Sequence, residues 1–243
     1  MSAPIEDYGL IGNTYTAALV SREGSIDWLC LPRFDSDSVF AAILGKPKHG
    51  RWLIAPVDRP VRSSRCYRNE TGILETRLET PEGDAKIVDF MPLSGEGEDQ
   101  VDLIRLVYCE RGRVRMHTEI VLRFDYARSV PWVRQHLGGP VAVAGPNAIQ
   151  FITPVALRGT PDMTTVGEFT VEAGRRIVTP DIRDEEARGQ RCRRSKIRSD
   201  ADAPGPPGAP HSWPLSSIVR VQERRKGYRP RRSPDRPDIS RNS

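Results

Sequence analysis

Alternation of apolar and polar residues is the dominant pattern between residues 9 and 171. The longest run has an apolar or small residue at every second position, with charged residues such as Arg115 and Glu119 between them. A period of two, held over eleven residues, predicts a strand that is buried on one face only. The predicted buried face consists of Val114, Met116, Thr118, Ile120, Leu122 and Phe124.

Shorter segments with the same alternation predict further strands, and turns rich in Gly and Pro separate them at close intervals. One such turn is predicted at Glu110-Arg111-Gly112. Many short strands punctuated in this way favour an all-β fold, a large antiparallel β-sandwich, over alternating strands and helices. The predicted shorter strands are Thr16–Ser21, Ser25–Leu31, Arg51–Pro56, Gly72–Thr80, Lys86–Phe90, Asp102–Cys109, Ala148–Thr153 and Thr165–Val171.

One segment departs from the alternation. Ser38–Gly45 has Phe40, Ile43 and Leu44 at helical spacing, and a Gly stands where a C-terminal cap belongs. Ser36 or Asp37, just before it, are residue types that cap helix N-termini. The pattern predicts one short helix of two turns, laid on the sheet.

Composition divides the chain near residue 174. Residues 1–174 carry 19 Lys and Arg against 23 Asp and Glu, a net charge of −4, whereas residues 175–243 carry 18 against 9, a net charge of +9. In the second region only nine of 69 residues are Leu, Ile, Val, Phe or Met. So few apolar side chains do not offset about 1–2 kcal/mol of backbone entropy per residue. We therefore predict a β-sandwich domain over residues 1–174 and a basic, Pro/Arg-rich disordered tail over residues 175–243.

The basic tail does not by itself predict a nucleic-acid partner. Its Arg191–Lys196 and Arg224–Lys226 clusters lack interleaved aromatic residues, so we expect no specific nucleic-acid binding.

No stretch reaches the roughly 18–20 apolar residues of a membrane span, and an acidic N-terminus is unlike a signal peptide. The four cysteines are too widely spaced for a disulfide framework or a zinc site, so we expect buried, reduced thiols. A cytoplasmic protein without a membrane partner is expected.

Motifs that would specify a reaction are absent from the sequence, which has no phosphate loop, nucleophile elbow, dinucleotide fingerprint or metal-spaced His cluster. Neither a cofactor nor a metal is expected. The densest candidate segment is Asp27–Ser36, which combines carboxylates, Arg33, Trp28 and Phe34 at the end of a strand. Such sets bind sugars, because aromatic faces stack on C–H faces while charged groups hydrogen-bond hydroxyls. The alternative is that the two aromatic residues are core or interface anchors and that Arg33 pairs with Asp35.

Several segments together resemble one known family. The segments that carry the resemblance are Tyr8–Asn13, Thr16–Cys30, Pro32–Ser36, Ser38–Ala41, Tyr67–Arg68, Thr71–Thr76, Asp89–Pro92 and Arg123–Tyr126. They resemble the N-terminal domain of bacterial glycoside hydrolase family 15, which includes trehalase-like and glucoamylase-like proteins. The resemblance extends over roughly residues 5–174. One departure is Asp37, where relatives often have Pro, and both residue types suit the start of a helix.

The resemblance implies a large antiparallel β-sandwich, which in this family precedes a linker and an (α/α)6 barrel. That barrel hydrolyses α-glucosidic bonds with inversion, using two glutamates. We expect this chain to be truncated before the barrel, so no catalytic residue carries over to it. The resemblance implies a surface that faces the barrel or its substrate end, and its expected residues are Asp27, Trp28, Arg33, Phe34, Asp35 and Phe40.

The tail departs from the family pattern after Gly174. A shift of the reading frame near Arg175 would account for its Arg- and Pro-rich sequence, and resequencing the gene would test this. We expect a non-catalytic N-terminal fragment of a carbohydrate hydrolase that is inactive alone. If a catalytic barrel is encoded separately, that barrel is its expected partner. The alternative is a stand-alone carbohydrate- or protein-binding β-sandwich module that binds carbohydrate weakly.

Overall fold

A computed structural model describes residues 3–93, 100–134, 139–144 and 147–174, together with the backbone of strand residues 215–223. Regular structure in these ranges is almost entirely β, as the alternation predicts. Helical structure is limited to three 3-10 turns, Ile5–Asp7, Ala42–Leu44 and Pro47–His49, and no helix in the described ranges is long and apolar enough to cross a membrane. The strands are β1 (Tyr8–Gly12), β2 (Ala17–Ser21), β3 (Ser25–Cys30), β4 (Ser38–Phe40), β5 (Arg51–Pro56), β6 (Arg62–Tyr67), β7 (Leu74–Glu79), β8 (Gly83–Phe90), β9 (Gln100–Val121), β10 (Trp132–Arg134), β11 (Val141–Ala144), β12 (Asn147–Ile152), β13 (Arg158–Gly159), β14 (Thr165–Glu172) and β15 (Leu215–Glu223).

Strand β9 connects two halves of one curled antiparallel sheet. Its first part pairs with β8 and β15, and its second part pairs with β5 and β14. One half therefore contains β1 to β5, β13 and β14, and the other contains β6 to β8, β10 to β12 and β15. Trp52 of β5 meets Phe151 of β12 edge-to-face, with ring centroids 5.8 Å apart. The two halves thus pack against each other around a single apolar core, which confirms the predicted all-β fold class.

The alternating run in the second part of β9 lies as predicted. All six residues from Val114 to Phe124 that were assigned to the inner face are buried, each 6% exposed or less. Arg115 between them is exposed, and Glu119 is half-buried. The inner positions belong to the main core because both neighbouring strands, β5 and β14, present apolar residues on the same face.

The turn predicted at Glu110-Arg111-Gly112 is wrong, because β9 continues through it. Gly112 has φ +66°, and a Cβ at this position would lie 2.1 Å from the Glu82 carbonyl oxygen. Only glycine fits that conformation and that contact without strain. The glycine therefore marks the place where β9 passes from one half of the sheet to the other.

The two-turn helix predicted for Ser38–Gly45 is also wrong. Ser38–Phe40 forms β4, which pairs with β3, and only Ala42–Leu44 forms a single 3-10 turn. Val39 is 2% exposed and Phe40 is fully buried, as in a strand that packs on both faces. Pairing with β4 satisfies backbone groups of β3, near Leu29 and Cys30, that a helix in place of β4 would leave without partners. This gain outweighs the local helical spacing.

Residues 215–223, inside the region predicted as a tail, form β15 between β9 and β12. This strand differs from the predicted disorder, and the rest of residues 175–243 lies outside the described residues. The prediction of disorder used the composition of the whole region. It overlooked the short segment Ile218-Val219-Arg220-Val221, in which three of four residues are apolar. Two strand edges with unpaired backbone groups provide the partner that such a run lacks when it is considered alone.

The described cysteines are free. Cys30 and Cys109 are buried as predicted, and burial raises the pKa of both thiols. Cys66 is exposed, contrary to the prediction. It lies on β6, a strand at the edge of its half of the sheet that pairs with β7 alone and exposes most of its residues.

Candidate functional site

Five loops meet at one end of the half-sheet that contains β1 to β5. Antiparallel pairing places the ends of β1, β3 and β9 beside the beginnings of β2, β5 and β14. The loops that leave or enter these strand ends therefore lie together, and we refer to them as the loop end. The loop end consists of residues 13–16, 31–37, 41–50, 122–131 and 160–164.

Backbone strain is concentrated at the loop end. Six non-glycine residues in the described ranges have φ in the left-handed region, and five of them lie in these loops. Each such residue costs of order 1–3 kcal/mol, and such residues cluster at functional sites, where the surrounding structure holds them in place. The five are Thr14, Asp125, Tyr126, Ala127 and Met163.

Exposed apolar side chains accompany the strain. Phe34, Leu44 and Met163 are each more than 60% exposed. Exposed apolar groups that gather in one region mark an interaction surface, whereas single ones are ordinary. The exposed large apolar residues of these loops are Tyr15, Phe34, Leu44, Tyr126, Val130 and Met163.

Hydrogen bonds hold the loop of residues 31–37 in a defined shape. The Phe34 N–H donates to the Tyr15 carbonyl oxygen at 3.0 Å, and the Ser36 N–H donates to the Arg33 carbonyl oxygen at 3.1 Å. The Arg33 Nε donates to Asp35 Oδ1 at 3.0 Å, and this hydrogen bond lowers the pKa of the Asp35 carboxyl. The Phe34 ring, 62% exposed, is therefore presented to solvent by a loop that is already ordered.

Arg123 joins two of the loops. Its Nη1 donates to the carbonyl oxygens of Leu122 at 2.7 Å and Met163 at 3.2 Å, and its Nη2 donates to that of Asp162 at 3.3 Å. Burial lowers the pKa of this guanidinium. The two contacts to Met163 and Asp162 fix the loops 122–131 and 160–164 relative to each other, so this part of the loop end is also ordered in advance.

Asp27 lies on β3 and does not belong to the exposed loop. Its Oδ2 accepts a hydrogen bond from the Tyr8 hydroxyl at 2.7 Å, and its Oδ1 accepts one from the Ser25 hydroxyl at 2.5 Å. Burial, followed by the hydrogen bond and charge of Asp27, raises the pKa of Tyr8, so the phenol remains a donor. Asp27 and Asp35 thus occupy different settings, one held by hydroxyls and the other by a guanidinium in solvent.

Trp28 and Tyr126 form an aromatic pair beside Asp27. Their ring centroids are 6.1 Å apart and the ring planes are tilted by 43°. The Tyr126 N–H donates to the Ser38 hydroxyl at 3.0 Å, which anchors the left-handed turn of residues 125–127 to β4. The strained turn therefore holds the Tyr126 ring, 45% exposed, against the half-buried Trp28.

Of the predicted site residues, Arg33, Phe34 and Asp35 lie in the loop end, Asp27 and Trp28 lie on β3, and Phe40 lies on β4. Phe40 is fully buried and contributes to the core, so its inclusion in a contact surface is corrected. The apolar residue that reaches solvent nearby is Leu44, at 65% exposed, because the chain after β4 turns outward. Sequence reasoning missed Tyr126 as a site residue, and its one signal was membership of the Arg123–Tyr126 segment that carries the family resemblance.

Ala127→Gly is expected to raise the free energy of unfolding by about 0.5–1 kcal/mol. Glycine removes a left-handed cost of about 1–2 kcal/mol and loses only about 0.4–1 kcal/mol through the greater freedom of the unfolded chain. Urea unfolding measures the change. The matched control is Ala55→Gly in β5, which has no left-handed φ and is expected to lower stability. Equal losses in both variants would contradict strain at residue 127.

Comparison with known proteins agrees with the sequence segments noted above. Residues 1–159 match the family described as trehalase-like, N-terminal. A trehalase of Thermoplasma volcanium is 30% identical over 161 residues, which are 65% of this chain and 26% of that protein. Trehalase 1 of Sulfolobus acidocaldarius is 36% identical over 148 residues, 61% of this chain and 23% of that protein. A trehalase of Mycobacterium tuberculosis is 32% identical over 143 residues, 51% of this chain and 21% of that protein.

The match spans about a quarter of the length of these curated relatives. The family match over residues 1–159 includes the loops of residues 13–16, 31–37, 41–50 and 122–131, which form most of the loop end. The strained turn and the Trp28–Tyr126 pair both lie inside the matched residues. The chain belongs to the family of trehalase-like N-terminal domains.

Proposed function

We propose that this chain is the non-catalytic N-terminal domain of a carbohydrate hydrolase, of the kind found in glycoside hydrolase family 15, that cleaves α-glucosidic bonds. The loop end packs on a catalytic (α/α)6 barrel and supports its substrate end, while the chain alone has no hydrolase activity. A cytoplasmic setting is part of the proposal, in keeping with the free thiols of Cys30, Cys66 and Cys109. The match covers about one quarter of the length of the related trehalases. This supports a domain that acts together with a further, catalytic domain.

The observation that carries the proposal is the coincidence of exposed apolar residues and backbone strain at the loop end. Phe34 is the expected anchor of the interface. It is exposed, and its loop is already ordered by the hydrogen bonds of the Phe34 and Ser36 N–H groups and by the Arg33–Asp35 pair. Ordered aromatic residues dominate binding energy, since little conformational entropy is lost when they enter a pocket. A rigid apolar surface of this kind suits a stable interface between domains.

Co-expression tests the proposal. The full chain is co-expressed with the part of Sulfolobus acidocaldarius trehalase 1 that follows the matched region, and size-exclusion chromatography measures co-elution. Wild-type chain is expected to co-elute, and Phe34→Asp or Leu44→Asp is expected to abolish co-elution, because a charge at the centre of an apolar interface is left unpaired.

Trp132→Asp is the control for this experiment. Trp132 is 78% exposed, lies on β10 and is outside the loop end, so its variant is expected to co-elute like the wild type. Absence of co-elution with the wild-type chain, or equal loss in the Trp132 and Phe34 variants, would argue against docking through the loop end.

A further inference from the structure

Two strand edges stand on either side of β15. Residues 100–107 of β9 pair with it on one side and β12 pairs with it on the other, both antiparallel, through eight and six residue pairs. The two edges are thus two strand spacings apart, about 9–10 Å, and we call the space between them the strand slot. In the part of the chain that the structure describes, β15 alone joins β9 to β12 and the strands beyond it.

Both walls of the strand slot are held by contacts that do not involve β15. On one side, residues 104–107 of β9 pair with β8, and Arg105 forms its buried ion pair with Asp89 of that strand. On the other side, Phe151 of β12 packs on Trp52 across the core, and β12 pairs with β11. Contacts within residues 1–174 therefore position both backbone edges.

The sequence of β15 matches the strand slot position by position. Val219 and Val221 take register positions whose partners on both walls are at most 5% exposed, and these partners are Leu103, Phe151, Val101 and Ile149. Arg220, between them, takes the position opposite Asp102, which is only 9% exposed. Directly opposed residues share one face of a sheet, and opposite charges at such positions favour pairing. The slot therefore fits an extended segment with apolar residues at alternate positions and a basic residue between them.

A long connection leads from the walls of the slot to its occupant. Forty residues, 175–214, separate Gly174 from the start of β15, and a chain of that length spans up to about 130–145 Å when it is extended. A connection of this length does not decide whether the strand comes from the same molecule or from another. The family match ends at residue 159, so it includes both walls of the slot and not β15.

We propose that the strand slot is a peptide-binding site, and that the segment Leu215–Glu223 occupies it as a separable ligand. Backbone hydrogen bonds to both walls supply affinity, while the alternate apolar positions and the basic position opposite Asp102 supply specificity. The segment binds in the same register when a second copy of the chain or a free peptide supplies it. The slot lies outside the loop end and requires no catalytic domain, so this role is separate from the proposed function.

A cut in the connection tests the site on the complete chain. A protease recognition sequence is inserted between Ala203 and Pro204, and the purified chain is cleaved after it has folded. At micromolar concentration the fragment that carries β15 is expected to co-elute with the larger fragment and to exchange with a fluorescent peptide of residues 213–225, followed by anisotropy. The uncut chain is expected to take up no peptide at that concentration, because its tethered segment competes at an effective concentration on the order of millimolar.

Variants of the peptide test how the slot recognises it. Val219→Pro is expected to weaken binding about tenfold or more, because proline removes a backbone donor from a strand that is paired on both sides. Arg220→Glu, which sets a like charge opposite Asp102, is expected to weaken binding about fivefold. Arg220→Lys keeps the charge and is the matched control, expected to bind like the wild-type peptide.

A second acceptor keeps the test decisive if the insertion prevents folding. The full chain with Val219→Pro has a defective strand of its own, so the wild-type peptide is expected to bind to it and to raise its thermal midpoint, whereas the Val219→Pro peptide does neither. Release of the cut fragment without rebinding of peptide, or equal binding of the wild-type and Val219→Pro peptides, would overturn the proposal. Equal binding of the Arg220→Glu and Arg220→Lys peptides would contradict the register on which it rests.

Discussion

Asp89→Asn is expected to lower the free energy of unfolding by about 3–5 kcal/mol, because it leaves the buried guanidinium of Arg105 without its counter-charge. Both side chains are fully buried. The Arg105 Nε donates to Asp89 Oδ1 at 2.7 Å and its Nη2 donates to Oδ2 at 3.2 Å. Asn retains the size of Asp but presents only one oxygen and no charge. Chemical denaturation of the full chain measures the loss.

The pair between Arg111 and Asp84 is the matched control. It is also bidentate, with two hydrogen bonds of 3.0 Å, but the Arg111 side chain is 61% exposed. Asp84→Asn is expected to cost less than about 1 kcal/mol, since water screens an exposed pair and solvates the remaining charge. Similar losses in the two variants would mean that burial does not set the difference.

Trp52→Ala is expected to lower the free energy of unfolding by about 3–5 kcal/mol, since it opens a large cavity in a core that cannot close around it. Trp52 is 1% exposed, and its ring meets Phe151 edge-on across the two halves of the sheet. Its indole N–H donates to the Thr118 hydroxyl at 3.1 Å, and the variant leaves that buried hydroxyl without this donor. Urea midpoints of the variant and wild type give the change.

Trp132→Ala provides the comparison, because that side chain is 78% exposed and its loss is expected to change stability by no more than about 0.5 kcal/mol.

The effects of Trp52→Ala and Asp89→Asn on the free energy of unfolding are expected to be non-additive in the combined variant. The Arg105 guanidinium lies 5.1 Å from the Trp52 ring centroid and donates to the Trp52 carbonyl oxygen at 2.8 Å. Strict additivity would contradict a shared network.

Long alternation proved a reliable guide to the strands. The second part of β9 was predicted with the correct buried face, and Arg51–Pro56 was predicted with the bounds that the structure has for β5. The period of two is a local property, since successive side chains of any extended strand point to opposite faces. The predicted strand Ala148–Thr153 is shifted by one residue at both ends from β12, and Thr165–Val171 ends one residue before β14 does.

Predictions failed where pairing with a strand outside the local segment outweighed local preference. Phe40, Ile43 and Leu44 have helical spacing, but pairing with β3 makes Ser38–Phe40 a strand. Gly112 resembles a turn residue, but it allows β9 to bend between the two halves while the strand continues. The run at Ile218 forms β15 because two strand edges receive it. Each of these partners lies outside the segment whose local pattern was used for the prediction, although β3 directly precedes β4 in the chain.

For the candidate site, too, some features could be predicted from the sequence and others could not. The Asp27–Ser36 segment could be singled out from its residue types, and the pairing of Arg33 with Asp35 was foreseen as an alternative. The burial of Phe40 and the contact of Trp28 with Tyr126, 98 residues apart in the chain, could not.

The order of residues along the chain is enough to predict antiparallel strands, to assign residues 1–159 to a trehalase-like N-terminal family, and to place aromatic and charged residues at the end of β3. The folded sheet is needed to show which of those residues reach solvent, and that five loops from separate parts of the chain share one end of the sheet. The physical reason is that side-chain periodicity depends on neighbours one or two residues away. Burial, strand partners and left-handed turns depend on contacts that form only when the whole sheet closes.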